Sequence, residues 1–119
     1  MKEIGNGRSA KHAEVESVVA GDHPAIAGHF PGEPIIPGVV LLECVVMAVE
    51  RAFGTGRLTA IPLVKFLAPL RPDERFQIML GQSEEGAIAF ECRRGTTILA
   101  RGRLIHQRRE EGVSVSVSG

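Results

Sequence analysis

At 119 residues the chain has room for one hydrophobic core and not for two. Fourteen Lys and Arg balance fourteen Asp and Glu, so no global field draws the protein to nucleic acid or to an anionic membrane surface. Hydrophobic residues make up 44% and the only aromatics are five Phe, the composition of an ordinary globular domain without the interleaved aromatics of a single-strand nucleic-acid platform.

Cys44 and Cys92 sit in apolar or strand-like runs and form neither a disulfide framework nor a metal spacing. They are expected as reduced thiols of a cytoplasmic protein. No stretch approaches the roughly 18 apolar residues of a membrane helix. Residues 1–7 also lack the apolar centre of a signal peptide, so export and membrane insertion are not expected. The chain reads as one domain, 1–119, with an ordered core over about 13–107. The low-complexity tail, 110–119, is expected to fray.

In chain order, residues 13–20 read as a short first strand containing the β-branched Val15, Val18 and Val19. From Gly21 to Gly38, glycine and proline are too dense for regular structure, which predicts a long, stiff loop. Residues 39–53 follow as a helix stopped by Gly54-Thr55-Gly56. Every residue from Val39 to Val49 except Glu43 is apolar. A helix of this kind, too short for a bilayer, is expected to be buried on nearly all sides.

Four strands are then predicted at roughly 58–68, 74–82, 86–94 and 97–107. Turn residues at Glu84-Glu85-Gly86 and Arg94-Gly95-Thr96 make the last three an antiparallel meander. In the last strand Ile98, Ala100, Gly102 and Leu104 alternate with Leu99, Arg101, Arg103 and Ile105, giving one small apolar face and one basic face. This pattern predicts an α+β domain, a curved antiparallel β-sheet wrapped around one long central helix.

Three features carry chemistry. Glu43 has Val39, Val40, Val46 and Met47 as same-face neighbours, none of which can pair with it. If it is buried there, its carboxyl is held partly protonated and can donate a proton. Alternatively, it points to solvent or to a dimer seam and pairs with a distant arginine. His29 sits in a loop whose backbone is stiffened before folding, which suits a positioned general base, although a loop histidine can also simply serve a backbone carbonyl. His23 lies six residues away, a spacing that matches no common metal motif. His12 and His106 read as surface or strand residues. At the helix entry, Gly38 leaves room for a ligand carbonyl to approach first-turn N–H groups that lack internal partners. A base, an acid and an oxyanion site together describe proton abstraction beside a carbonyl with loss of a β-substituent.

The stretch Gly28-His29-Phe30-Pro31-Gly32-Glu33-Pro34-Ile35-Ile36-Pro37-Gly38-Val39-Val40-Leu41-Leu42-Glu43 closely resembles the signature of the β-hydroxyacyl–acyl-carrier-protein dehydratases of the hot-dog fold. In that family the carboxylate likewise follows the histidine by 14 residues. Val64-Lys65-Phe66-Leu67-Ala68-Pro69-Leu70-Arg71-Pro72-Asp73 is similar to the family's Lys-Phe-X-X-Pro-X-X-Pro-Gly-Asp segment, with the glycine missing. The resemblance implies that His29 removes the C2 proton of a 3-hydroxyacyl thioester and that Glu43 protonates or orients the departing hydroxyl. Gly38 or Val39 N–H groups would hold the thioester oxygen, with Phe30 also contacting substrate.

It further implies a homodimer, or an oligomer built from dimers, in which the histidine and carboxylate of one active site come from opposite subunits. No metal or organic cofactor is implied. The substrate arrives on the phosphopantetheine arm of acyl carrier protein. Two departures stand out. Cys44-Val45-Val46-Met47 replaces the usual Ala-Met-Ala-Gln after the carboxylate, and the segment before the first strand is short. The short form resembles the small dehydratases of aryl-polyene, pigment and polyketide pathways. The alternatives are a hot-dog thioesterase, which directs water at the carbonyl, and a catalytically silent acyl-carrier-binding subunit. Because carrier proteins are acidic, Arg93, Arg94, Arg101, Arg103, Arg108 and Arg109 read as a docking patch, or else as charges that keep a sheet face soluble.

Overall fold

Phe76, Ile78 and Leu80 alternate with Gln77, Met79 and Gly81, and this period of two sends the first set inward, where each is at least nine-tenths buried. The same alternation in the neighbouring strand buries Ile88, Phe90 and Cys92. The computed structural model describes residues 11–23, 35–54, 56–83 and 86–108. It contains β1 (Lys11–Ser17), α1 (Gly38–Phe53), β2 (Gly56–Phe66), β3 (Phe76–Gln82), β4 (Ala87–Arg94) and β5 (Thr97–Arg108). Much of the expected loop, 24–34, with His29 and Phe30, lies outside the described residues, as do Thr55, Glu84, Glu85 and the 110–119 tail.

All neighbouring strands are antiparallel, in the order β1-β3-β4-β5-β2. The expected meander is therefore present as β3-β4-β5. Gly95, at φ 63, supplies the left-handed residue of the β4–β5 turn. The chain enters at one sheet edge as β1 and returns at the other as β2, and α1 makes the crossing over the inner face. The hot-dog arrangement of one helix against a curved antiparallel sheet is thus observed.

The helix is not buried on all sides. Val40, Leu41, Val45, Ala48, Val49 and Phe53 face the sheet and are buried. Val39 and Met47 are 64% and 63% exposed, and Glu43 between them is also exposed. A single sheet can cover only one side of a cylinder, so a run that is apolar all round leaves its far side uncovered within one chain. Glycine ends the helix as expected: the Gly54 N–H donates to the Glu50 carbonyl at 2.9 Å.

Three local departures have identifiable causes. β1 stops at Ser17 because the Val19 carbonyl turns to accept from the Asp73 N–H at 2.7 Å, leaving Val18 half exposed. In β5 the alternation breaks between Cys92, which pairs with Ala100, and Arg93, which pairs with Ile98. Leu99 is the extra residue of that bulge and is fully buried, while its carbonyl accepts from Leu67 and Ala68. His106 is a strand residue, within β5, and it faces the interior. It is 3% exposed, packs against Gly56, and neither ring nitrogen has a hydrogen-bond partner among the described residues.

The segment after β2 compensates for the missing glycine. Asp73 takes the left-handed conformation, φ 68, that a glycine usually supplies after proline. Its Oδ1 accepts from the Gly21 N–H at 3.2 Å. Asp tolerates this backbone better than most residues, and here its carboxylate also ties down the start of the long loop. Glu74 steadies the same turn, accepting from the Arg71 N–H at 2.9 Å and from Arg94 at 3.2 Å. No helix among the described residues is long and apolar enough to cross a membrane.

Candidate active site

The site is built on the first two turns of α1. Pro37 precedes the helix in an extended conformation, and its carbonyl accepts from Val40 at 3.0 Å and Leu41 at 3.2 Å. No side chain caps this end, and the first turn has no acidic residue. The N–H groups of Gly38 and Val39 therefore have no acceptor among the described residues, and they lie at the positive end of the helix dipole. Loop and helix meet at a fixed angle because the Ile36 N–H donates to the Leu70 carbonyl at 2.8 Å.

Gly38 is crowded from one side. A Cβ there would lie 2.7 Å from Cζ of Phe66 and 3.0 Å from each Cε of its ring. Space that the sequence suggests for a ligand is thus partly taken by an aromatic ring from β2. Around it opens an apolar cleft of about 500 Å³, lined by Ile35, Pro37, Gly38, Leu41, Phe66 and Leu67 among others.

Glu43 lies four residues beyond Val39, roughly 6 Å along the helix axis at the usual rise. Of the two settings open to this carboxylate, buried or turned outward, the structure shows the outward one within the chain. Glu43 is exposed, because its helix face turns away from the sheet, and it makes no hydrogen bond or ion pair among the described residues. It borders a second cleft of about 240 Å³ that also takes in Ser17, His23, Cys44, Met47 and Arg51. The sequence singles out His23 only as a poor metal ligand, yet the fold brings it to the cleft of Glu43. Its position just after β1, opposite the middle of α1, becomes visible only with the topology known. Met47 occupies the next turn on Glu43's face, where the family's glutamine usually stands.

Neither cysteine is a nucleophile at neutral pH. Burial pushes the Cys44 thiol up, opposed by a hydrogen bond with Ser17 and reinforced by the charge of Glu43. Cys92 is pushed up to about 12, chiefly by burial, with Cys44 and Glu91 adding to the effect. Protonated thiols are poor nucleophiles. Among the described residues, no group of three or more His, Cys, Asp or Glu is placed to hold a metal ion.

The arginines of the last hairpin divide. Arg94 is used within the fold, donating to the Pro69 carbonyl at 2.9 Å and to Glu74. Arg93 pairs with Glu91. Arg101 and Arg103 are exposed on the outer sheet face, where Arg101 lies in register with Lys65. Both lack ion-pair partners among the described residues. The side chain of Arg108 and the whole of Arg109 lie outside the described residues.

The structure thus places Gly38, Val39 and Glu43 on one helix, with two backbone donors and one exposed carboxylate about a turn apart. A donor pair can stabilise negative charge on an oxygen, and a carboxyl can move a proton. The family model for ApeI-like proteins, described as ApeI dehydratase, matches residues 6–103. Among curated relatives, the 3-hydroxyacyl-[acyl-carrier-protein] dehydratase FabZ of Haemophilus influenzae is 33% identical over 80 residues, covering 58% of this chain and 54% of the relative. FabZ of Chlamydia trachomatis is 28% identical over 97 residues, covering 70% and 63%. The chain spans about half the length of the first of these relatives. Among solved structures, the dehydratase heterocomplex ApeI:P from Xenorhabdus doucetiae superposes with a TM-score of 0.73 at 20% identity, covering 87% of this chain and 93% of the other. The fluoroacetyl-CoA-specific thioesterase FlK shares the fold at a TM-score of 0.59 and 17% identity, covering 82% and 90%. With its helix, its five-stranded sheet and a match running through most of its length, the chain belongs to the ApeI-like dehydratase family.

Proposed function

We propose that this protein dehydrates 3-hydroxyacyl thioesters carried on acyl carrier protein, giving trans-2-enoyl thioesters and water. The observation that carries the reading is the exposed Glu43 carboxyl one turn beyond the N–H groups of Gly38 and Val39, none of which has a partner among the described residues, in a chain of a dehydratase family. His29 takes the C2 proton as general base, with Phe30 beside the substrate. This role rests on the His-Phe-Pro-Gly motif. Negative charge that develops on the thioester oxygen is met by the N–H groups of Gly38 and Val39 and by the helix dipole. Glu43 delivers a proton to the C3 hydroxyl, the C3–O bond breaks, and water leaves as the C2–C3 double bond forms. No redox change occurs, so the chemistry calls for no redox cofactor.

A second copy supplies the opposite half of each site. Support comes from the uncovered apolar side chains of the outer α1 face, Val39 and Met47, and of the free β2 edge, Leu63 and Phe66. Unpartnered apolar surface of this kind marks an interface. Arg101, Arg103 and Lys65, which have no ion-pair partner among the described residues, favour an acidic carrier as the partner that delivers substrate.

The test is an assay with a 3-hydroxyacyl carrier protein or its pantetheine mimic, following the enoyl thioester and free thiol separately. The expected product is enoyl thioester without thiol. Thiol release without enoyl product would replace this reading with a thioesterase. His29→Ala and Glu43→Gln should each lose at least about 100-fold in rate while remaining dimeric. Wild-type turnover in either variant removes that residue from the mechanism.

A further inference from the structure

The ring of Phe66 meets Gly38 end-on. The three atoms that a Gly38 Cβ would strike are Cζ, Cε1 and Cε2, the tip of the ring. Phe66 closes β2, in register with Ala100. It turns inward towards the helix entry, whereas its neighbour Lys65 lies on the outer face beside Arg101. The ring is nonetheless 51% exposed, so a large part of its surface forms the wall of the 500 Å³ cleft rather than packing into the core. Every described side chain lining that cleft is apolar. Among the described residues the N–H of Gly38, which lines the cleft, has no acceptor, and the Val39 N–H follows it in the same helical turn. An apolar wall with a few convergent donors orients a ligand that has one carbonyl and an aliphatic body.

From this geometry we infer that Phe66 is a specificity-determining residue, limiting the bulk tolerated on the acyl carbon next to the thioester carbonyl. The inference rests on the dehydratase reading and deepens it. An oxygen held by the Gly38 N–H at about 3 Å brings the acyl chain past the Gly38 Cα in van der Waals contact, and the ring tip already fills the space beside that Cα. An unbranched C2 passes the ring, whereas a 2-methyl branch meets it. By the same contact, Gly38 must be glycine because of Phe66 as well as because of the substrate.

The experiment compares kcat/KM for 3-hydroxybutyryl- and 2-methyl-3-hydroxybutyryl-pantetheine in the wild type, Phe66→Leu and Phe66→Ala. Both substrates keep a C2 hydrogen, so both can be dehydrated. One methyl group against an apolar wall changes selectivity by roughly 10- to 200-fold. Phe66→Ala should therefore shift the ratio towards the branched substrate by at least about 10-fold, with Phe66→Leu in between. An unchanged ratio overturns the proposal.

Binding of inert amide analogues of the two substrates gives the same discrimination without turnover. If the wild type binds them but forms no enoyl product, the dehydratase reading falls while the Phe66 inference is still decided by the binding ratio. Binding of neither analogue overturns the inference as well. The contact itself is read from thermal midpoints. Gly38→Ala should lower the midpoint in the wild type and leave it unchanged or raised in the Phe66→Ala background, since alanine is otherwise the better helix residue. Equal shifts in the two backgrounds would show that the ring does not constrain position 38.

Discussion

The two long sides of α1 have almost the same composition and opposite environments. Towards the sheet lie Val40, Leu41, Val45, Ala48 and Val49, all buried. Away from it lie Val39, Glu43 and Met47, all exposed within the chain. The buried side holds the fold together, since each buried Val or Leu side chain contributes about 1.5–3 kcal/mol. The outer side contributes little to the stability of one chain and carries Glu43, the acid of the proposed mechanism. In the proposed dimer a second copy covers the apolar residues of that side, and the carboxylate between them is the group it encloses.

Opposite outcomes on the two sides follow for stability and activity. Glu43→Gln should cut turnover by at least about 100-fold and change unfolding free energy by no more than about 0.5 kcal/mol, as expected of an exposed position. Val45→Ala, on the fully buried side, should cost about 2 kcal/mol through lost burial and the cavity left behind, with turnover near normal at low temperature. Chemical denaturation and initial rates on the same preparations check both. If Glu43→Gln were the more destabilising change, the two sides would be wrongly assigned.

Cys92 probes the floor beneath the buried side. Below pH 9 both the folded and unfolded thiols keep their proton, and the residue adds no pH dependence. Above that value the unfolded thiol ionises while the folded one, pushed up to about 12, does not. The folded state then holds more protons, so stability falls as pH rises through this window, by about 1.4 kcal/mol per unit. Between pH 8 and 10 the wild type should therefore lose about 1 kcal/mol more than Cys92→Ala, measured by denaturation at each pH. Identical slopes would mean that water reaches β4 under the helix.

How far these features could be read from the sequence depends on how local their cause is. The order of elements follows from glycine and proline punctuation and from alternation within strands, so β3, β4 and β5 fall where the sequence places them to within two residues. The motif likewise picks out Gly38, Val39 and Glu43, because their spacing lies within one helix. Non-local causes are hidden. The bulge at Leu99 depends on pairing between two strands. The burial of His106 depends on a glycine fifty positions earlier. The crowding of Gly38 by Phe66 depends on where β2 ends against the helix. The side of α1 that meets the sheet is equally non-local, since its hydrophobic run is too uniform to mark one.

Met47 gives the smallest and sharpest test, because it lies on the chemical side yet has no polar group to offer. It follows Glu43 by one turn, is 63% exposed, and stands where the family usually has a glutamine. A side-chain amide at this spacing can hydrogen-bond the carboxyl of the preceding turn and so favour one orientation for proton delivery. Methionine lacks a strong donor or acceptor and leaves Glu43 to find its orientation from the enclosing surface alone. Met47→Gln should then raise kcat by a few-fold with KM nearly unchanged, since an oriented acid helps the transition state rather than binding. Stability should move by no more than about 0.5 kcal/mol. A fall in kcat, with the dimer intact, would instead show that the thioether packs against the covering surface and that its apolar contact, rather than an amide, positions the carboxyl.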